Sequence, residues 1–82
     1  RLLIENESNT DVCYVLISPT TADDWGEDWL GDMEQLVTGE RRLFYVEGGV
    51  YDLQVADCDG EPLTEEYEVD LTEDLTWTLY DE

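Results

Sequence analysis

The chain contains neither lysine nor histidine, and its only basic side chains are Arg1, Arg41 and Arg42. Each absence removes a class of chemistry. Phosphate backbones are gripped by clustered Lys and Arg, so the composition argues against nucleic acid as a partner. An anionic membrane surface would repel the chain for the same reason. With no His or Lys, and with Ser8 and Ser18 as the only serines, no acyl-transfer triad can be assembled. Zinc loses its imidazole ligands, and the two cysteines, Cys13 and Cys58, do not have metal-ligand spacing. The longest apolar run, Val12 to Ile17, is far too short to cross a bilayer as a helix. No leader-like segment is visible. Arg1 opens straight onto a strand-like stretch, so a leader or preceding domain is expected to lie outside this sequence.

What is abundant is negative charge. Asp and Glu total 23, and the net charge is -20. Aromatics (three Trp, five Tyr and one Phe) and a 41% hydrophobic fraction separate the chain from disordered acidic sequences, which lack them. Its 82 residues are expected to form one domain, 1–82, near the lower size limit for stability without a staple. A Cys13–Cys58 bridge is favoured over two reduced core thiols. Closing the 45-residue separation would contribute roughly 4 kcal/mol on the chain-entropy model, and it implies an oxidising, extracellular setting. A surface this acidic points to cations as part of the working environment, either at a halophile's ionic strength or in a calcium-rich exterior.

Alternation and β-branched or aromatic content predict six strands, at Leu2 to Asn6, Val12 to Ser18, Arg41 to Glu47, Val50 to Asp57, Thr64 to Leu71 and Leu75 to Tyr80. Tyr51, Leu53 and Val55 alternate with Asp52 and Gln54. Tyr67, Val69 and Leu71 alternate with Glu66, Glu68 and Asp70, and Leu75, Trp77 and Leu79 with Thr76 and Thr78. One apolar and one polar face per strand is the pattern of a two-sheet sandwich. Phe44 and Val46 are the inward choices in the third strand. Glu47-Gly48-Gly49 reads as a hairpin turn between strands three and four. The segment from Pro19 to Met33 breaks the β pattern, and Thr21 followed by Asp24 suggests a turn or two of helix limited by Gly26 and Gly31. The expected fold is all-β, a small two-sheet sandwich of six to seven antiparallel strands with a short helical or irregular Trp-containing loop.

The stretches ISPTTADDWGEDWLG (Ile17 to Gly31), GGVYDLQVADCDG (Gly48 to Gly60) and VDLTEDLTWTL (Val69 to Leu79) carry a resemblance. They resemble a widespread family of small domains of secreted and surface-attached bacterial proteins, which read approximately ISPS-x-SDSWG-DD-x-LG, then PPG-x-YDL and D-x-DG. Glu47-Gly48-Gly49 stands here where that family has Pro-Pro-Gly. The resemblance implies an immunoglobulin-like sandwich and an extracellular or cell-surface location, and brings no enzymatic activity with it.

Four constellations could carry function. Calcium takes six to eight oxygens, and two acidic loops could supply some of them. One contains Asp23, Asp24, Glu27, Asp28 and Asp32; the other contains Asp57, Asp59 and Glu61. Asp57-Cys58-Asp59-Gly60 lacks the closing Glu of an EF-hand, so solvated turns and diffuse cation condensation compete with a defined site. Trp25 and Trp29 could form a platform for a carbohydrate or protein ligand. The plainer reading makes them a plug at the open end of the sandwich, with Leu30 and Met33 beside them. Asn6-Glu7-Ser8 is a glycosylation acceptor pattern. Carboxylate pairs abound by chance, and the chain is small for a substrate cleft, so a catalytic role is not expected. The expected function is a non-catalytic structural or interaction module whose partner is itself, as in a surface fibre, or another surface protein. A calcium-stabilised binding module is the alternative.

Overall fold

The computed structural model describes residues 1–26, 28–30 and 34–80. Six strands form, β1 (Leu2–Glu7), β2 (Tyr14–Pro19), β3 (Arg41–Phe44), β4 (Val50–Ala56), β5 (Pro62–Asp70) and β6 (Leu75–Tyr80). They make two three-stranded sheets, ordered β3-β1-β6 and β2-β4-β5. The alternation read from the sequence drives the layering. Leu2 and Ile4 in one sheet and Val15, Ile17, Leu53 and Val55 in the other meet in a common core, joined by Phe44, Leu71 and Leu79. At about 25 cal/mol per Å² of apolar area, burying such side chains is the main favourable term.

Three of the expected features differ. The first concerns strand direction. β1 pairs with β3 in antiparallel fashion but with β6 in parallel, Leu2 lying beside Leu75 and Asn6 beside Leu79. The second is the turn at Glu47-Gly48-Gly49, which is no hairpin because β3 and β4 belong to different sheets. β3 stops at Phe44, and the chain crosses to the other layer, with Leu71 N–H donating to Gly49 C=O at 2.8 Å. Glycine suits position 49, since a Cβ there would stand 3.3 Å from Tyr51 Cε2, tighter than an ordinary contact. Third, no helix forms among the described residues of the Pro19 to Met33 segment. Asp24 Oδ1 accepts the Gly26 N–H at 3.0 Å, and Gly26 takes a left-handed φ of 73°. That local turn competes with a helical N-terminus and wins.

The alternation of β5 also breaks. Tyr51 pairs with Val69 but Leu53 with Glu66, so β5 holds one extra residue opposite Asp52. Glu68 sits in the left-handed region at φ 53°, and its N–H donates to Asp52 Oδ1 at 3.0 Å. This β-bulge turns Tyr67 to the outer face, where it is 59% exposed, instead of inward with Val69 and Leu71.

Candidate functional site

Asp28 and Trp29 lie along the outer edge of β2. Trp29 N–H donates to Val15 C=O at 2.7 Å, and Val15 N–H donates to Asp28 Oδ1 at 2.9 Å. The Trp29 indole N–H reaches Ile17 C=O at 3.2 Å, and its ring meets Phe44 edge-on at 6.4 Å between centroids. Leu30 is buried in the core beside it. Trp29 and Asp28 therefore close an edge that would otherwise present unpaired backbone groups. Met33, the other member of the expected plug, lies outside the described residues, as do Gly31 and the acidic-loop members Glu27 and Asp32.

The two tryptophans part company. Trp25 lies half-buried on the outer face of the β2-β4-β5 sheet, its ring 6.0 Å from that of Tyr67 at 46°. Ser18, Asp23, Asp24 and Asp52 complete a hollow of about 190 Å³ around this pair. Ser18 Oγ–H donates to Asp24 C=O at 2.7 Å, and Thr20 Oγ1–H donates to Asp52 Oδ1 at 2.9 Å. Asp52 thus holds the loop and the β5 bulge at once. Tyr67 Oη–H donates to Glu65 Oε2 at 2.5 Å, and this bond, with smaller contributions from desolvation and the nearby charges of Glu65 and Asp52, raises the phenol above its ordinary value. The hollow offers two aromatic faces and three carboxylates. It is smaller than the roughly 300 Å³ at which pockets begin to engulf a ligand, and is a shallow hollow rather than an enclosing one.

In the two acidic loops, Asp24, Asp28 and Asp57 each use Oδ1 to accept backbone N–H groups. Asp28 Oδ1 accepts the N–H groups of Val15 and Leu30, both at 2.9 Å, and Asp57 Oδ1 accepts those of Asp59 and Glu61, both at 2.9 Å. Asp24 turns Gly26 as described. Among the described residues no three acidic or thiol groups converge as a metal cage.

Cys13 and Cys58 form a disulfide with Cα atoms 4.8 Å apart, clamping the start of β2 to the turn after β4. Cys13 N–H adds a bond to Ala56 C=O at 3.0 Å.

Asn6 corrects the glycosylation reading. It is fully buried, and its Nδ2 donates to Thr10 C=O at 2.9 Å and Leu36 C=O at 2.8 Å. Its Oδ1 accepts from Ser8 N–H at 3.0 Å and Ser8 Oγ–H at 2.6 Å. A glycan on that nitrogen is incompatible with the folded core. The Asn-x-Ser spacing is instead that of an Asx turn, a signal visible in the sequence and assigned to the wrong chemistry.

A second surface was missed in the sequence. On the side away from the Trp loop, β5 and β6 flank an opening of about 220 Å³. Val55, Leu63 and Leu79 give it apolar walls, and Ser8, Thr10, Thr64 and Tyr80 rim it. β6 is the outermost strand of its sheet, and its segment LTWTLY contains no charge, Pro or Gly. Leu75 N–H donates to Arg1 C=O at 3.0 Å, starting a ladder in which residues 75, 77 and 79 face β1. The two-residue period of a strand then turns the backbone groups of Thr76, Thr78 and Tyr80 outward.

No family model, curated protein or solved structure matches the chain.

Proposed function

We propose that the domain is a non-catalytic interaction module of the cell exterior that engages another protein chain through the unpaired edge of β6. One observation carries this reading: in a molecule of net charge -20, the exposed edge beside a partly apolar opening belongs to β6, a strand that carries no charge, whereas β2, the other uncharged strand, has its edge covered by Asp28 and Trp29. Natural proteins blunt exposed edges with charges, prolines or bulges. Here β5 has all three in Pro62, four carboxylates and the bulge at Glu68, whereas β6 has none. The Cys13–Cys58 bridge supports the extracellular setting. Two facing sheets with a crossover between them support the immunoglobulin-like description. Self-association into a surface fibre would use the same edge and needs salt or bridging cations to offset the repulsion between copies. Amide exchange at Thr76, Thr78 and Tyr80 tests the reading. Protection by strand-forming peptides or at high protein concentration is the expected result; fast exchange under every condition sinks it.

A second reading rests on the outer hollow. Trp25 and Tyr67 beside Asp23, Asp24 and Asp52 suit a carbohydrate or protein ligand, with calcium drawn to the carboxylates. If this is the working surface, Trp25→Ala abolishes ligand binding without unfolding the domain. A melting temperature unmoved by EDTA at fixed ionic strength removes calcium from it.

A further inference from the structure

We infer that the opening between β5 and β6 receives an extended, basic segment of another protein as an added strand of the β3-β1-β6 sheet; this rests on the strand-edge reading above and names its occupant. The case begins with register. Glu66 pairs with Leu53 and Thr64 with Val55, and both β4 partners are buried in the core. Directly paired residues share a face, so Thr64 and Glu66 stand on the core-side face of β5. Glu66 is nevertheless exposed. A carboxylate therefore occupies an inward position where the facing sheet ends at β6.

Adding one strand to β6 extends that sheet by about 4.8 Å, and facing sheets pack about 10 Å apart. The added strand thus extends the β3-β1-β6 sheet on the side where β5, with Thr64 and Glu66 on its core-side face, borders the opening. Its alternate side chains point into the opening. An apolar one fits between Val55, Leu63 and Leu79, because a dry cavity of about 150 Å³ already accepts a benzene-sized group and this one is about 220 Å³. Leu75, 37% exposed, and the half-buried Trp77 lie on the same face of β6 and gain cover.

Charge selects the occupant. Arg41 and Arg42 lie on β3 and Arg1 just before β1, and none lines the opening. Glu66 has its neighbours Glu65 and Glu68 on the same strand, within a field of net charge -20. A Lys or Arg on the added strand supplies the missing counter-charge and is steered toward the site. A second copy of this chain would bring its uncharged β6 and a further -20, leaving Glu66 uncompensated.

The probe is a capped peptide alternating lysine with valine, compared with glutamate–valine and threonine–valine counterparts at physiological salt. Binding is read by NMR shifts and by amide exchange at Thr76, Thr78 and Tyr80. The lysine peptide is expected to bind with protection of those amides, and the glutamate peptide not to bind. Glu66→Lys should weaken the lysine peptide about fivefold, the scale of an exposed ion pair. Thr78→Pro removes an outward N–H without touching the β1 ladder and should abolish protection. A fold control for both variants is an unchanged unfolding midpoint. Lysine-peptide binding that survives both substitutions, or that leaves the β6 amides unprotected, is diffuse attraction and overturns the proposal. Equal protection by the threonine peptide keeps the edge and overturns the basic chemistry. Dimers that protect the β6 amides with no peptide present assign the site to a second copy, and also overturn it. No protection from any source ends the strand-edge reading itself.

Discussion

On the β2 side of the sandwich the gap between the sheets is filled; on the β5–β6 side it is left open. The filled side carries Trp29 against Phe44, Asp28 on the Val15 amide, Leu36 paired with Val12, and the disulfide at Cys13. The open side carries a hollow and, among the described residues, a strand edge with no strand paired to it. The difference teaches that edge protection in this domain is selective. A chain able to close one edge with a dedicated loop, and to arm β5 with acids and a bulge, leaves β6 plain. Stability is expected to concentrate on the first side and binding on the second.

The strongest way to break this comparison is at the bridge. Cys13→Ser with Cys58→Ser should lower stability by about 4 kcal/mol, seen as a large fall in the urea midpoint. A shift of only a few tenths would mean that the closed side does not hold the fold. Asn6→Ala comes next. It removes one of the two donors on each of the Thr10 and Leu36 carbonyls and takes the acceptor from the Ser8 N–H, and should lower stability by about 3 kcal/mol. The tryptophans then sharpen the contrast. Trp29→Ala should lower stability by about 2 kcal/mol, and Trp25→Ala by less than about 1 kcal/mol, because Trp29 closes a strand edge while Trp25 lies on the outer face. Equal values would dissolve the distinction between plug and platform.

Smaller effects probe the acidic strand and the open edge. Thr72 donates to Asp70 Oδ1 from Oγ1 at 2.7 Å and from N–H at 2.9 Å, and these bonds hold the Asp70 carboxyl below its ordinary value. A depressed carboxyl contributes stability above its unfolded pKa and loses it as pH falls through the folded one. The midpoint difference between wild type and Thr72→Val should therefore be present at neutral pH and vanish in acid; a pH-independent difference refutes the charge-assisted bond. Thr78→Pro is expected to be the mildest change, within about 0.5 kcal/mol, since its N–H faces outward from an edge strand.

Much of the layering was legible because it repeats with period two. Leu53 and Val55 in β4, and Trp77 and Leu79 in β6, were assigned to the core side from alternation, and they lie there. Tyr67 follows the same alternation in the sequence but faces outward, because its direction depends on an extra residue whose amide is held by Asp52, a partner 16 positions away. Nothing near Glu68 in the chain announces a left-handed turn, since no glycine marks it. The parallel β1–β6 pairing was invisible for a similar reason: it joins the two ends of the domain, and no local signal encodes direction. Asn6 was legible as a motif, but only its burial decides between a glycan acceptor and a turn brace.

By itself the sequence determined that the chain is all-β, that its surface is overwhelmingly acidic, and that the chemistry of His and Lys is closed to it. Composition and period depend only on residue identity and on neighbours two positions apart. Tertiary structure decided that Trp29 bonds along the β2 edge while Trp25 lies on the outer face beside Tyr67, which carboxylates brace turns, and that β6 is an outermost strand beside an opening. Those outcomes depend on contacts between residues distant in the chain. The separation is clearest in LTWTLY, whose lack of charge could be read at once. Its place at the edge of its sheet, beside the opening it shares with β5, could not.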